Sequence, residues 1–213
     1  MLIIFDLDGT IADTKKGVLD SILHATKGHM LNSLDRVDET IIGPPLRDLI
    51  EKTVCLKTEN EYLEIESKFK THYDSIGCFK YTLYNDMKKV IRTLKNTHQL
   101  IIATNKRRAP TEKILKDACI YDFFEKIYCI DDHKKKYYNK KGMIEFILRN
   151  EFEKNDAIYI GDTYEDYIAT SANGIKFLAA SWGYGLDGLK SIGSEILLRH
   201  PNEILTNKEL NLL

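Results

Sequence analysis

The chain has 213 residues, 43% of them hydrophobic, with 31 Lys and Arg against 32 Asp and Glu and a formal net charge of −1. That length holds one sizeable domain or a core with a small accessory unit, and the balanced charge gives no reason to expect a nucleic-acid or membrane-surface partner. The first apolar run stops at Asp6, too soon for a signal peptide or a spanning helix, so the chain reads as cytoplasmic.

In chain order, Leu2 to Phe5 is a continuous apolar run ending at a turn-prone Asp-Gly, the pattern of a strand buried on both faces. Asp6 therefore emerges at a strand's carboxyl end, where open parallel sheets bind ligands. Alternation turns Asp8 toward the same side. Two carboxylates so close repel unless a cation or a shared proton relieves them. DxD alone also fits a turn whose acids merely cap a helix. From Thr14 to about Lys80 the apolar spacing is helical throughout: Val18, Leu19, Ile22 and Leu23, then Leu46, Leu49, Ile50 and Val54. A third stripe follows, Tyr62, Ile65, Phe69, Tyr73 and Ile76, behind a capping box at Thr58 and Glu61. Gly43-Pro44-Pro45 is the strong loop signal there.

After Thr82, helices and strands alternate. Met87 to Leu94 reads as a helix, Leu100 to Ala103 as a strand opening onto Thr104 and Asn105, and Pro110 or Thr111 as the start of the next helix. Ile127 to Ile130 is a strand, a basic loop from His133 to Lys141 leads into a helix, and Ala157 to Ile160 is a strand ending at Gly161-Asp162. Asp166 to Asn173 is a short helix and Lys176 to Ala180 a strand. Five strands alternating with helices predict an α/β fold, a Rossmann-like, doubly wound parallel sheet with right-handed crossovers. Residues 1–14 and 81–213 would form that core and 15–80 a small all-α unit inserted after the first strand. Cys55, Cys78, Cys119 and Cys129 show no zinc-like spacing and are expected as free, largely buried thiols.

In a parallel sheet Asp6, Thr104 and Asp162 reach one edge. Carboxylates, a hydroxyl and a lysine grouped there suit a phosphoryl group, with a metal and the lysine offsetting its charge. The quoted segments resemble, in order, the four motifs of the haloacid dehalogenase-like hydrolases: DLDGT from Asp6, ATNK from Ala103, Lys141-Gly142, and GDTYED from Gly161. The likeness is strongest to the phosphoglycolate phosphatase-like subgroup and extends to Trp182-Gly183-Tyr184-Gly185. It implies a helical cap over 15–80, Asp6 as nucleophile, and Asp8 as general acid and then base. Thr104 and Lys141 would hold the phosphoryl group and Asn105 would line the site. Mg²⁺ would be bound by Asp6, Asp162 and the Asp8 carbonyl, with Asp166 in support.

The family often has Lys-Pro at the third motif. Lys140-Lys141-Gly142 leaves the lysine open by one position, and Lys141 is preferred for its place beside Gly142. The expected activity is Mg²⁺-dependent hydrolysis of a small phosphate monoester through an aspartyl phosphate. The alternatives are a phosphomutase of the same fold, a nucleotidase or pyrophosphatase, and a non-catalytic protein using the same cleft. Substrate choice falls to the cap loop from Ile42 to Arg47, where Gly43 permits close approach. Arg47 either offers a fork to a carboxylate or second phosphate or sits on the solvent face of its helix. The partner is a small-molecule phosphate ester, and oligomeric state is left open.

Overall fold

The structure is a computed structural model that describes residues 1–30, 46–132, 139–150, 157–190, 193 and 196–208. Its centre is β1 (Leu2–Phe5), paired in parallel with β4 (Gln99–Thr104) on one side and β6 (Ala157–Gly161) on the other. β5 (Lys126–Cys129) extends the sheet beyond β4, while β7 (Lys176–Ala180) and β8 (Leu197–Leu198) extend it beyond β6, giving the order β5-β4-β1-β6-β7-β8 with every pairing parallel. The sixth strand, β8, went unread in the sequence: two residues are too short for a period to register.

The unbroken apolar run of β1 follows from its place in the middle. Ile3 and Phe5 face one layer, built from α4 (Met87–Leu94), α5 (Arg108–Asp117) and a 3₁₀ turn at Pro201–Thr206. Leu2 and Ile4 face the other, built from α6 (Lys140–Asn150), α7 (Tyr164–Ser171) and α8 (Leu186–Leu189). Alternate side chains thus serve opposite cores, and both must be apolar.

Between β1 and β4 lie α1 (Lys15–Ala25), α2 (Leu46–Thr53) and α3 (Glu59–Ser75). The expected capping box holds α3: the Thr58 side chain accepts from the Glu61 amide at 3.2 Å and the Glu61 carboxylate accepts from the Thr58 amide at 3.3 Å. Ile76 leaves the apolar stripe, since it caps the helix and is half exposed. This helical segment begins and ends at one place, because β2 (Ala12–Asp13) pairs antiparallel with β3 (Thr82–Leu83). Gly43, Pro44 and Pro45 lie outside the described residues, as does most of the basic loop before α6.

The starts of α5 and α7 differ from expectation, as does that of α6, at Lys140. α5 begins at Arg108 with Pro110 inside its first turn, where a missing N–H costs nothing because that donor has no intrahelical acceptor. α7 begins at Tyr164 because Thr163 and Asp166 form a second capping box. None of the four cysteines is in a disulfide, and only Cys78 and Cys129 are buried, while Cys55 and Cys119 are exposed. Among the described residues no helix is long and apolar enough to cross a membrane.

Candidate active site

The carboxyl ends of β1, β4 and β6 deliver Asp6, Thr104 and Asp162 to the same edge, at the point where the chain turns to opposite sides of the central strand. Asp6, Asp162 and Asp166 are buried there, each with a carboxylate oxygen within 4.8 Å of the others. The lysine that meets them is Lys140. Its Nζ lies 2.5 Å from Asp166 Oδ1 and 3.1 Å from Asp6 Oδ1, and the residue is 4% exposed.

The preference for Lys141 is therefore corrected to Lys140. Asn139 precedes the helix and its side chain accepts from the Gly142 amide, so Lys140 takes the first helical position, facing the sheet edge. Lys141, one residue on, is rotated outward and exposed. Burial disfavours the Lys140 charge, but Asp166 and Asp6 outweigh it and hold its pKa well above the ordinary value.

Burial also pushes the Asp6 carboxyl up to about 7, with Lys140 opposing the shift and Asp166 and Asp8 adding to it. The same cause raises Asp162 well above its usual range. Three carboxylates facing one ammonium leave an excess of negative charge that a divalent cation would balance. Asp6 Oδ1 is buried and makes no hydrogen bond, its contact with Lys140 being an ion pair only. The donor set, all hard oxygen, fits a small divalent ion.

The surroundings are built to bring these acids close. Gly9 has a φ of 78°, and a Cβ on it would overlap the Asp162 carboxylate. Gly183 also packs against Asp162, beside Gly9, and Gly185 against the Asp162 carbonyl, which accounts for the glycines of the Trp182–Gly185 loop. From that loop the Tyr184 amide donates to Asp162 Oδ2 at 2.8 Å, and Trp182 Nε1 donates to the Thr10 carbonyl at 3.0 Å. Asp166 serves two structures at once: Oδ2 accepts from the Thr163 amide and hydroxyl, and Oδ1 accepts from Lys140.

Asp8 faces the other way. Both its oxygens lie 2.9 Å from Lys106 Nζ, and Oδ1 accepts from Thr14 Oγ1 at 2.6 Å. Its carboxylate is not in the three-acid cluster. Asp6, Asp8, Thr104, Asn105 and Lys140 line one cavity of about 100 Å³, together with Lys106, Arg107 and apolar side chains of α1, α2 and α3. Sequence reading missed Lys106 and Tyr184. Both sit inside motifs already singled out, ATNK and WGYG, and no local spacing signals their long-range partners.

Arg47 is not in that cavity. Glu51 takes its Nε at 2.8 Å, Glu59 takes both terminal nitrogens at 3.1 and 2.6 Å, and the guanidinium lies over the Tyr62 ring. Of the two places the sequence left open for Arg47, it takes the exposed side of α2, with its fork already filled, and not the cleft that would have made it a substrate-binding residue. Gly43 lies outside the described residues.

This arrangement defines a class, and comparison with known proteins agrees. A family profile described as haloacid dehalogenase-like hydrolase matches residues 3–180. The chain belongs to the haloacid dehalogenase-like hydrolases and is a hydrolase of the phosphatase kind. It is similar to the pyrophosphatase PpaX of Bacillus cereus, 26% identical over 84% of this chain and 82% of that protein. Among solved structures it is similar to a haloacid dehalogenase-like family hydrolase from Streptococcus pneumoniae, with a TM-score of 0.84 and 25% identity over 96% of each chain. A predicted phosphoglycolate phosphatase from Haemophilus somnus shares the fold at a TM-score of 0.85 and 22% identity, again over 96% of each chain.

Proposed function

We propose that the chain is a Mg²⁺-dependent, cytoplasmic phosphatase that hydrolyses a small phosphate monoester through a phosphorylated Asp6. The observation that carries this reading is the separation of the two acids of DxD: Asp6 points into the three-acid cluster beside Lys140, while Asp8 lies across the cavity against Lys106.

An Asp6 oxygen attacks phosphorus, and the bond from phosphorus to the leaving oxygen breaks. Asp8 gives its proton to that oxygen, so the alcohol leaves neutral. Asp8 then takes a proton from water as the water oxygen attacks the aspartyl phosphate, releasing phosphate and restoring Asp6. Lys106 steadies the ionised Asp8 that this second step requires. Lys140 orients Asp6 and, with the Thr104 hydroxyl, receives the phosphoryl oxygens. Asp6, Asp162 and the Asp8 carbonyl would hold Mg²⁺, supported by Asp166, and the ion would supply charge neutralisation on the transferring group.

In this reading residues 15–80 act as the cap over the core formed by 1–14 and 81–213. The cap contributes the apolar wall of the cavity, and Arg107 of the core joins it through Asp74 of α3, at 2.9 and 2.5 Å. About 100 Å³ is well below the roughly 300–1,000 Å³ of sites for drug-sized ligands, which favours a substrate of few atoms. The test is phosphate release with Mg²⁺ from a panel of phosphorylated acids, pyrophosphate, sugar phosphates, nucleotides and an aryl phosphate, with mass spectrometry of the trapped protein. Phosphate release with an adduct on Asp6 is expected. An adduct on any other residue would overturn the mechanism.

A further inference from the structure

The helical segment leaves the core through β2 and returns through β3, and these two crossings lie side by side, paired at Ala12–Leu83 and Asp13–Thr82. The Trp182–Gly185 loop reaches both. At the start of α1 the Tyr184 hydroxyl accepts from the Thr14 amide at 2.7 Å and donates to Asp13 Oδ1 at 3.1 Å. At the other crossing the Trp182 ring meets that of Tyr84, directly after β3, with centroids 6.2 Å apart, and the Tyr84 amide donates to the Ile11 carbonyl at 3.2 Å. The loop also holds Asp162, whose Oδ2 accepts from the Tyr184 amide at 2.8 Å. Tyr184 therefore touches the joint of the helical segment with its side chain and an acid of the cluster with its backbone.

We propose that Tyr184 is a positioning residue that couples this joint to the metal-binding cluster: the arrangement of β2 and β3 sets the Asp162 carboxylate for a divalent cation, and a bound cation in turn holds the joint in that arrangement. The proposal rests on the Mg²⁺ reading above and adds the part of the fold on which metal affinity depends.

The case is geometric. Both oxygens of Asp162 are fixed by donors from outside its own strand, Oδ1 by the Thr10 hydroxyl at 3.2 Å and Oδ2 by the Tyr184 amide. Partners of this kind orient a metal ligand, and disturbing them costs affinity. A Cβ on Gly183 would overlap the Asp162 side chain and one on Gly185 its carbonyl, so loop and acid have no slack between them. A shift of the Tyr184 amide is passed to the carboxylate. At the other end of the residue the rigid phenol ring carries two hydrogen bonds to the joint, and Lys15 Nζ of α1 lies 5.1 Å from the ring centre. A movement of the joint must either take the loop with it or break those ties. Linkage makes the effect reciprocal: whatever the joint does to metal affinity, the metal does to the joint.

The experiment reads the two ends separately. Isothermal titration calorimetry measures Mg²⁺ affinity, and hydrogen exchange with mass spectrometry follows segments 14–25 and 80–86 with and without saturating Mg²⁺. Neither segment contributes an acid to the cluster. In the wild type Mg²⁺ should slow exchange in both. Tyr184→Phe keeps the ring and the backbone contact with Asp162 and removes only the ties to Asp13 and Thr14. It should bind Mg²⁺ about fivefold or more weakly, the scale of a coupling between sites, and at saturation segment 14–25 should gain little of the wild-type protection. Unchanged Mg²⁺ affinity in Tyr184→Phe overturns the proposal. So does wild-type exchange in 14–25 that ignores Mg²⁺, in which case Tyr184 serves Asp162 alone, or a variant that keeps the full protection. The wild-type exchange needs no variant, so it decides the matter if Tyr184→Phe does not fold. Hydrolysis of an aryl phosphate by the wild type with Mg²⁺, measured alongside, keeps the two readings apart: turnover with a failed coupling leaves the phosphatase standing. No Mg²⁺ binding to the wild type ends the metal reading and the coupling together.

Discussion

Lys140 and Lys141 carry the same ammonium one residue apart, yet only Lys140 is buried among Asp6, Asp166 and the Tyr159 ring. Removing it leaves those carboxylates facing one another with nothing between them. Lys140→Ala is expected to lower kcat/KM by about 10²-fold or more, the usual scale for losing an electrostatic contact to a transferring group, with Lys141→Ala within about threefold of wild type. Steady-state kinetics of the two variants decide this, and the reverse order would return the role to Lys141. Asp8 is tested by Asp8→Asn, which keeps its size but cannot shuttle a proton. The expected loss in kcat is about 10²- to 10⁴-fold with the Asp6 adduct still formed from a substrate with a good leaving group. A near-normal kcat would mean that another group protonates the leaving oxygen.

At the scale of elements, the Trp182–Gly185 loop fits against the end of β6 only because its glycines carry no side chain. Gly183→Ala would drive a methyl group into Asp162 and the Gly9 carbonyl. Weakening of Mg²⁺ affinity by about 10- to 100-fold is expected, the scale of disturbing a metal ligand's supports, and metal titration of phosphate release or of thermal stability measures it. Most elements were legible because their signals are local: the four apolar residues of β1, the capping box of α3, and the ends of β4 and β6 each lie within a few neighbours. Features set by distant partners or by a single cap were not. The lysine register depends on which residue starts α6, and Asn139 decides that by capping, one position earlier than Gly142 suggests. The Lys106–Asp8 pair joins residues 98 apart, and no spacing rule reaches that far. Arg47 was open in sequence between cleft and solvent, and Glu59 on the next helix decided it.

Across the whole molecule the site is a reservoir of unfavourable charge. A carboxyl whose folded pKa is raised, as for Asp6 from 3.8 to about 7, holds its proton in the folded chain while the unfolded chain has released it. The unfolded state then binds fewer protons, so stability falls as pH rises between about 4 and 7. Asp162 acts in the same direction. A divalent cation would favour the ionised carboxylates and so offset the cost of their burial, and Mg²⁺ should raise the melting temperature more at pH 8 than at pH 5, which differential scanning fluorimetry can measure. An equal increment at both would show that the acids are not charge-frustrated without metal. The position of β1 has a consequence for synthesis. β1 precedes both of its partners in the chain, Gln99–Ile102 and Ala157–Ile160, so its four apolar residues must wait for the first to cover one edge and for the second to cover the other. Contacts this distant in sequence slow folding and leave bare edges open to aggregation. A ribosome-bound chain that stops short of Ala157 carries Asp6 but lacks one partner of β1 and both Asp162 and Asp166, so the three-acid cluster cannot assemble until residues 157–166 have emerged.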